Sequence, residues 1–219
     1  MDQVASSYWV YALGFFGQGL FGARLLVQLY YSERAGRVVS PTAFWLLSLG
    51  ASFFFLFYGF FRGDLIIIVG QTLSYYIYLR NLHLKKYWHP LHKSVRVSLL
   101  IIPVASIFLW FSFFPTTYNS ISQTDLMFHP LMLAGAVGQL ALNFRFVYQW
   151  WYSEKCGSSI LPLGFWHISI WASVLVLIYA GFHPIHKFDP VLLVSQGFGI
   201  VVYIRNVILY QRHPTNEII

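Results

Sequence analysis

The sequence predicts an all-α polytopic membrane protein with seven transmembrane helices in a 3+1+3 plan. Apolar segments of roughly 20 residues, the length that crosses the hydrocarbon core, recur along the chain. Of its 219 residues, 58% are hydrophobic and only 10% are charged, too few to clothe a soluble domain of this size. The chain also repeats a unit of three such segments, joined by one segment that has no counterpart.

Taken in order, the spans are expected at 8–31, 42–61, 65–82, 95–114, 129–152, 163–182 and 189–210. The first ends in "SERAGRVVSP" and the fifth in "SEKCGSSILP"; in each, a proline is placed to start the next helix. "RGD" leaves only a tight turn between the second and third spans. The third and fourth are joined by the long basic connection "HLKKYWHPLHKSVR", and the fourth is followed by the polar "FPTTYNSISQTD".

Orientation follows from the basic residues. With the N-terminus outside, the inner side receives Arg34, Arg37, Arg80, Lys85, Lys86, Lys93, Arg96, Lys155, Arg205 and Arg212, and the outer side only Arg62 and Lys187. That bias predicts the C-terminus in the cytoplasm and accounts for the net charge of +7 without nucleic acid as a partner. The single Cys156 excludes an intrachain disulfide. No basic n-region precedes the first apolar run, so a cleaved leader is not expected.

The repeat is explicit. At an offset of 121, Gly17, Gln18, Arg24, Gln28, Tyr31, Ser32 and Glu33 return as Gly138, Gln139, Arg145, Gln149, Tyr152, Ser153 and Glu154. The same offset carries Pro41, Phe44, Trp45, Ser48 and Tyr58 onto Pro162, Phe165, Trp166, Ser169 and Tyr179. After a four-residue insertion the offset is 125, and Asp64, Gln71, Tyr78, Arg80 and Asn81 map onto Asp189, Gln196, Tyr203, Arg205 and Asn206. The expected division is therefore a first repeat over 8–83, a linker over 84–128 that holds the fourth helix, and a second repeat over 129–210. One unpaired span makes the two triplets parallel, with a site expected between them near the midplane.

Arg24 and Arg145 are the costly residues. A guanidinium within a span must meet water, a carboxylate, carbonyls or a phosphate. Gly17, Arg24, Gln28 and Tyr31 are spaced to share one helix face, and Gln71, Ser74, Tyr75 and Tyr78 share another. The expected substrate-binding set is Arg24, Arg145, Gln18, Gln139, Gln28, Gln149, Gln71, Gln196, Tyr78 and Tyr203, because planar guanidinium groups suit phosphate. A clamp that fixes each arginine to its own helix bundle is the competing reading. Glu33 and Glu154, with Arg80, Arg205, Asn81 and Asn206, sit at the inner ends of their helices, where they either close a gate or cap the structure. The histidines lack metal-ligand spacing, His167 is taken as structural, and no catalytic pair or cofactor motif is present.

The pattern "GQGLFGARLLVQLYYSE…SPTAFWLLS…DLIIIVGQ…YIYLRNL" and its echo "GQLALNFRFVYQWWYSE…LPLGFWHIS…DPVLLVSQ…YIRNV" resemble the lipid A biosynthesis N-terminal domain family, the membrane domain of some lipid-A-disaccharide synthases. That family is related to the PQ-loop, SWEET and KDEL-receptor group, which shares the 3+1+3 plan. The resemblance implies a bacterial inner-membrane protein and a role near lipid-linked sugars. No soluble glycosyltransferase domain follows before Ile219, so synthase activity is not expected. The leading expectation is a transporter or flippase for a polyprenyl-phosphate sugar or a similar anionic lipid. The alternatives are a SWEET-like carrier of a free solute and a scaffold for a polyprenyl-phosphate glycosyltransferase.

Overall fold

A computed structural model describes residues 8–63, 65–113, 130–182 and 190–212. Over those residues the chain forms seven α helices and no strand: α1 (Tyr8–Ala35), α2 (Thr42–Arg62), α3 (Leu65–Leu84), α4 (Lys93–Phe113), α5 (Pro130–Cys156), α6 (Leu163–Gly181) and α7 (Pro190–Arg212). Each expected span has its helix. Asp64, Asp189 and Lys187 lie outside the described residues. Helices α1, α2, α4, α6 and α7 are long and apolar enough to cross a membrane. Helices α3 and α5 carry Gln71, Thr72, Ser74 and Arg80, and Gln139, Asn143, Arg145 and Gln149.

The breaks obey local chemistry. Gly36 and Gly157 end α1 and α5 with φ of 67° and 61°, a left-handed conformation that favours glycine. Pro41 and Pro162 take the N-cap positions of α2 and α6, where a missing N–H costs nothing.

Two compact units share the chain. One holds Met1–Arg24 and Pro41–Ile121, and the other Leu25–Ser40 and Ser122–Ile219. The division thus falls not only within the expected linker, between Ile121 and Ser122, but also inside α1, between Arg24 and Leu25.

In the first unit, α2 packs on α3, and α4 packs on both. Trp110 of α4 joins Leu56, Ile68, Tyr75 and Leu79 in one apolar cluster, and the Tyr76 hydroxyl donates to the Leu100 carbonyl at 2.7 Å. The unpaired fourth helix is thus part of the first unit's core. The early turns of α1 meet α2 through the ring pairs Trp9–Phe61, Phe16–Phe54 and Phe21–Phe55.

In the second unit, α6 packs against both α5 and α7, around Leu142, Ala172 and Val176. Gly138 makes the α5–α6 approach possible. A methyl group there would lie 2.9 Å from the Ala172 carbonyl oxygen and 2.9 Å from Val176 Cγ2. At the equivalent Gly17 the obstacle is the Phe55 ring edge at 2.8 Å, while the backbone oxygen of Ala51 is 3.4 Å away. A ring can turn aside, and a helix backbone cannot. Gly138→Ala is therefore expected to cost about 1 to 2 kcal/mol by overpacking and Gly17→Ala less, as thermal unfolding in detergent would show.

Candidate functional site

Each unit contains the same arginine clamp. In the first, Arg24 Nη1 donates 3.0 Å to the Ser48 hydroxyl of α2 and 3.0 Å to the Tyr78 hydroxyl of α3. In the second, Arg145 Nη1 donates 2.9 Å to Ser169 of α6 and 3.0 Å to Tyr203 of α7. The serines are oriented for this task. Ser48 and Ser169 each donate 2.6 Å to the carbonyl one turn back, of Phe44 and Phe165, leaving an oxygen lone pair for the guanidinium.

The walls are aromatic. The Arg24 guanidinium carbon lies 4.4 Å from the Phe21 ring centre and 5.4 Å from that of Phe44. That of Arg145 lies 5.0 Å from Phe146 and 5.3 Å from Phe165. Trp45 backs Tyr78 and Trp166 backs Tyr203, both at 6.0 Å between ring centres. Such faces attract a cation but do not neutralise it. Among the described residues, no carboxylate pairs with Arg145, whose hydrogen-bond partners are two neutral hydroxyls. Both arginines are buried.

One level away in each bundle, a second serine holds a glutamine. Ser52 donates 2.9 Å to Gln71 Oε1, and Ser173 donates 2.8 Å to Gln196 Oε1. Serines 48 and 52, like 169 and 173, are one turn apart on a buried stripe of α2 or α6.

Gln28 and Gln149 are placed differently. Gln28 Nε2 donates to Ser32 Oγ at 2.9 Å and to Asn206 Oδ1 at 2.7 Å, and lies 3.4 Å from the Val39 carbonyl oxygen. Asn206 returns a bond of 3.0 Å to Gln28 Oε1 and donates 2.9 Å to the Val202 carbonyl. Gln149 Nε2 donates 2.8 Å to Ser153 and 2.7 Å to the Ile160 carbonyl. In both repeats the glutamine and serine grip the loop after their helix, because Ser32 and Ser153 also accept the backbone N–H of Val39 and Ile160. Both glutamines are fully buried.

The other expected residues divide by position. Gln18 and Gln139 are exposed. Tyr31 is also exposed, at the edge of the face assigned to it, because the buried stripe through Gly17, Arg24 and Gln28 continues to Ser32. Gly17 and Arg24 are buried in the first unit, whereas Leu25, Gln28 and Ser32 are buried in the second. Glu33 pairs with Arg205 through both carboxylate oxygens, with Nη2 at 2.8 Å from Oε2. Glu154 accepts the Trp150 indole N–H at 2.9 Å. Arg80 Nη1 lies 3.5 Å from His83 Nδ1, and Asn81 is buried with its amide on the Ile77 carbonyl. His167 is exposed on α6. Among the described residues, no cluster of His, Cys, Asp or Glu has the makings of a metal site.

The serines are the working residues that the composition hid. Ser48 and Ser169 are legible as a repeat pair, but only packing shows that they hold the arginines.

The family model for the lipid A biosynthesis N-terminal domain matches residues 13–83 and again 134–208. The lipid-A-disaccharide synthase of Chlamydia pneumoniae is 26% identical over 212 residues, which cover 94% of this chain and 34% of that protein. That of Chlamydia felis is 27% identical over 221 residues, covering 95% and 34%. The chain thus spans about a third of the length of the curated relatives it matches. No solved structure matches it. Two matches, each on a repeat with its own arginine, place this membrane protein in the lipid A biosynthesis N-terminal domain family.

Proposed function

We propose that this chain is a bacterial inner-membrane carrier, a flippase, for an anionic lipid-linked sugar precursor. The observation that carries the reading is Arg145: a buried guanidinium whose protein partners are neutral hydroxyls. A positive charge so placed retains a strong demand for an anion, and a phosphate meets it with parallel charge-assisted bonds. In the first repeat, Arg24 is held by the equivalent serine and tyrosine hydroxyls. In such a carrier, Gln71 and Gln196, fixed at their carbonyl ends, would offer N–H groups to sugar hydroxyls. Gln28 and Gln149 would serve by holding the loops.

The reading is tested by movement of a labelled polyprenyl-phosphate sugar across proteoliposomes. Arg145→Gln is expected to cut the rate at least tenfold, the loss of one charge-assisted contact of about 1.5 to 3 kcal/mol. Wild-type movement no faster than in empty vesicles would end the carrier reading. The length of the relatives favours a second reading. Because the matched region is a third of a synthase, that second reading is a membrane seat for a lipid-sugar glycosyltransferase; capture of that enzyme without flux would support it.

A further inference from the structure

Glu33 and Arg205 meet edge to edge. Arg205 Nε donates to one carboxylate oxygen and Nη2 to the other at 2.8 Å, so two parallel bonds join two planar groups. This is the geometry by which a guanidinium takes two oxygens of a phosphate. The side chains are 38% and 39% exposed, so a solute or lipid headgroup can reach them. An exposed pair of this kind adds little stability, and exchange of one anion for another there is cheap.

The neighbours give the pair a consequence. Within four residues of α7, Tyr203 holds Arg145, Arg205 holds Glu33, and Asn206 holds Gln28. The last two ties fix the end of α1 to α7, and the first fixes the arginine of the carrier site. A group that displaced Glu33 would loosen the end of α1 beside the segment that positions Arg145.

We propose that Arg205 is an entry subsite for a phosphate headgroup, with Glu33 as an internal stand-in that the headgroup displaces, freeing the last turn of α1 from α7 while the Gln28–Asn206 pair still ties the preceding turn. The inference rests on the carrier reading above and adds an order to it: the phosphate meets Arg205 first and Arg145 later. Glu33 then does two jobs. It keeps Arg205 from binding indifferent anions, and it holds the latch shut until a more strongly charged group arrives.

The test uses the full chain in phosphatidylcholine nanodiscs, with farnesyl phosphate, inorganic phosphate and farnesol as probes. Glu33→Gln, which keeps size and one acceptor but removes the competing charge, should bind farnesyl phosphate roughly 3- to 10-fold more tightly than wild type. Arg205→Gln should bind it about 10-fold less tightly, and Arg205→Lys should fall between, since an ammonium lacks the fork. Spin labels at Arg34→Cys and Gln211→Cys, in a Cys156→Ser background, should move apart when farnesyl phosphate is added. In Glu33→Gln they should start apart. Competition by inorganic phosphate with the same variant order assigns the subsite to the phosphate group itself. Farnesol binding as well as farnesyl phosphate overturns the proposal, as does an unchanged affinity in both Glu33→Gln and Arg205→Gln. If Arg145→Gln alone weakens binding, this inference fails and the carrier reading stands; if wild type and every variant ignore farnesyl phosphate, both fail.

Discussion

Replacing the two hydroxyls that hold Arg145, with Ser169→Ala and Tyr203→Phe together, is expected to destabilise the protein by about 3 to 5 kcal/mol, the sum of two hydrogen bonds to a charged group. The double variant keeps the charge and strips its partners, which is the costly way to break a buried polar cluster. Arg145→Met removes the charge instead. It leaves only the Tyr203 hydroxyl in need of a partner, because Ser169 still donates to the Phe165 carbonyl. That costs about 1 to 3 kcal/mol, offset by relief from burying a cation. Denaturant unfolding of the purified protein should therefore rank Arg145→Met well above the double variant in stability. The reverse ranking would make the arginine itself the structural keystone. If the order holds while Arg145→Met stops lipid movement, stability and flux separate at this residue, as the carrier reading requires.

The second large effect is expected at the amide pair in the second unit. Gln28 and Asn206 exchange bonds of 2.7 and 3.0 Å, and both are fully buried. Gln28→Leu leaves the Asn206 carbonyl oxygen without its donor, and Asn206→Leu does the same to the Gln28 carbonyl oxygen. Each single change should cost about 2 to 3 kcal/mol, near the upper end for stranding a buried polar group. Combined, they should cost less than the sum of the two by about 1 to 2 kcal/mol, since the second removes a group the first has already stranded. Additive losses would mean that the two amides do not depend on each other.

Much of this was legible in the chain, and the repeat explains why. Arg24 and Ser48 are 24 residues apart, and so are Arg145 and Ser169. The arginine-to-tyrosine separation grows from 54 to 58 by the four-residue insertion. Packing that recurs at a fixed offset leaves a trace that a single copy would not. What the chain could not reveal is a partner that belongs to tertiary structure alone. Nothing in the pattern around Gln28 names Asn206, which lies 178 residues away. Periodicity also misled at Tyr31: positions 31 and 32 both follow Gln28 by about one turn, and it is Ser32 that is buried. Gln18 and Gln139 recur at matched positions and are exposed, an exposure that polarity alone did not announce.

The division of α1 between the two units bears on how such a chain can be taken apart. Its final turns are buried with the second repeat, so a fragment that stopped after α3 would carry Leu25, Gln28 and Ser32 without the surroundings that bury them. The second repeat, made alone, would lack the donor for Asn206 Oδ1 and the anion for Arg205. Neither half is a self-sufficient module, although each descends from one ancestral unit. Co-expressed halves should complement each other, and a gene split in the linker should yield two products that are each degraded until the other is made.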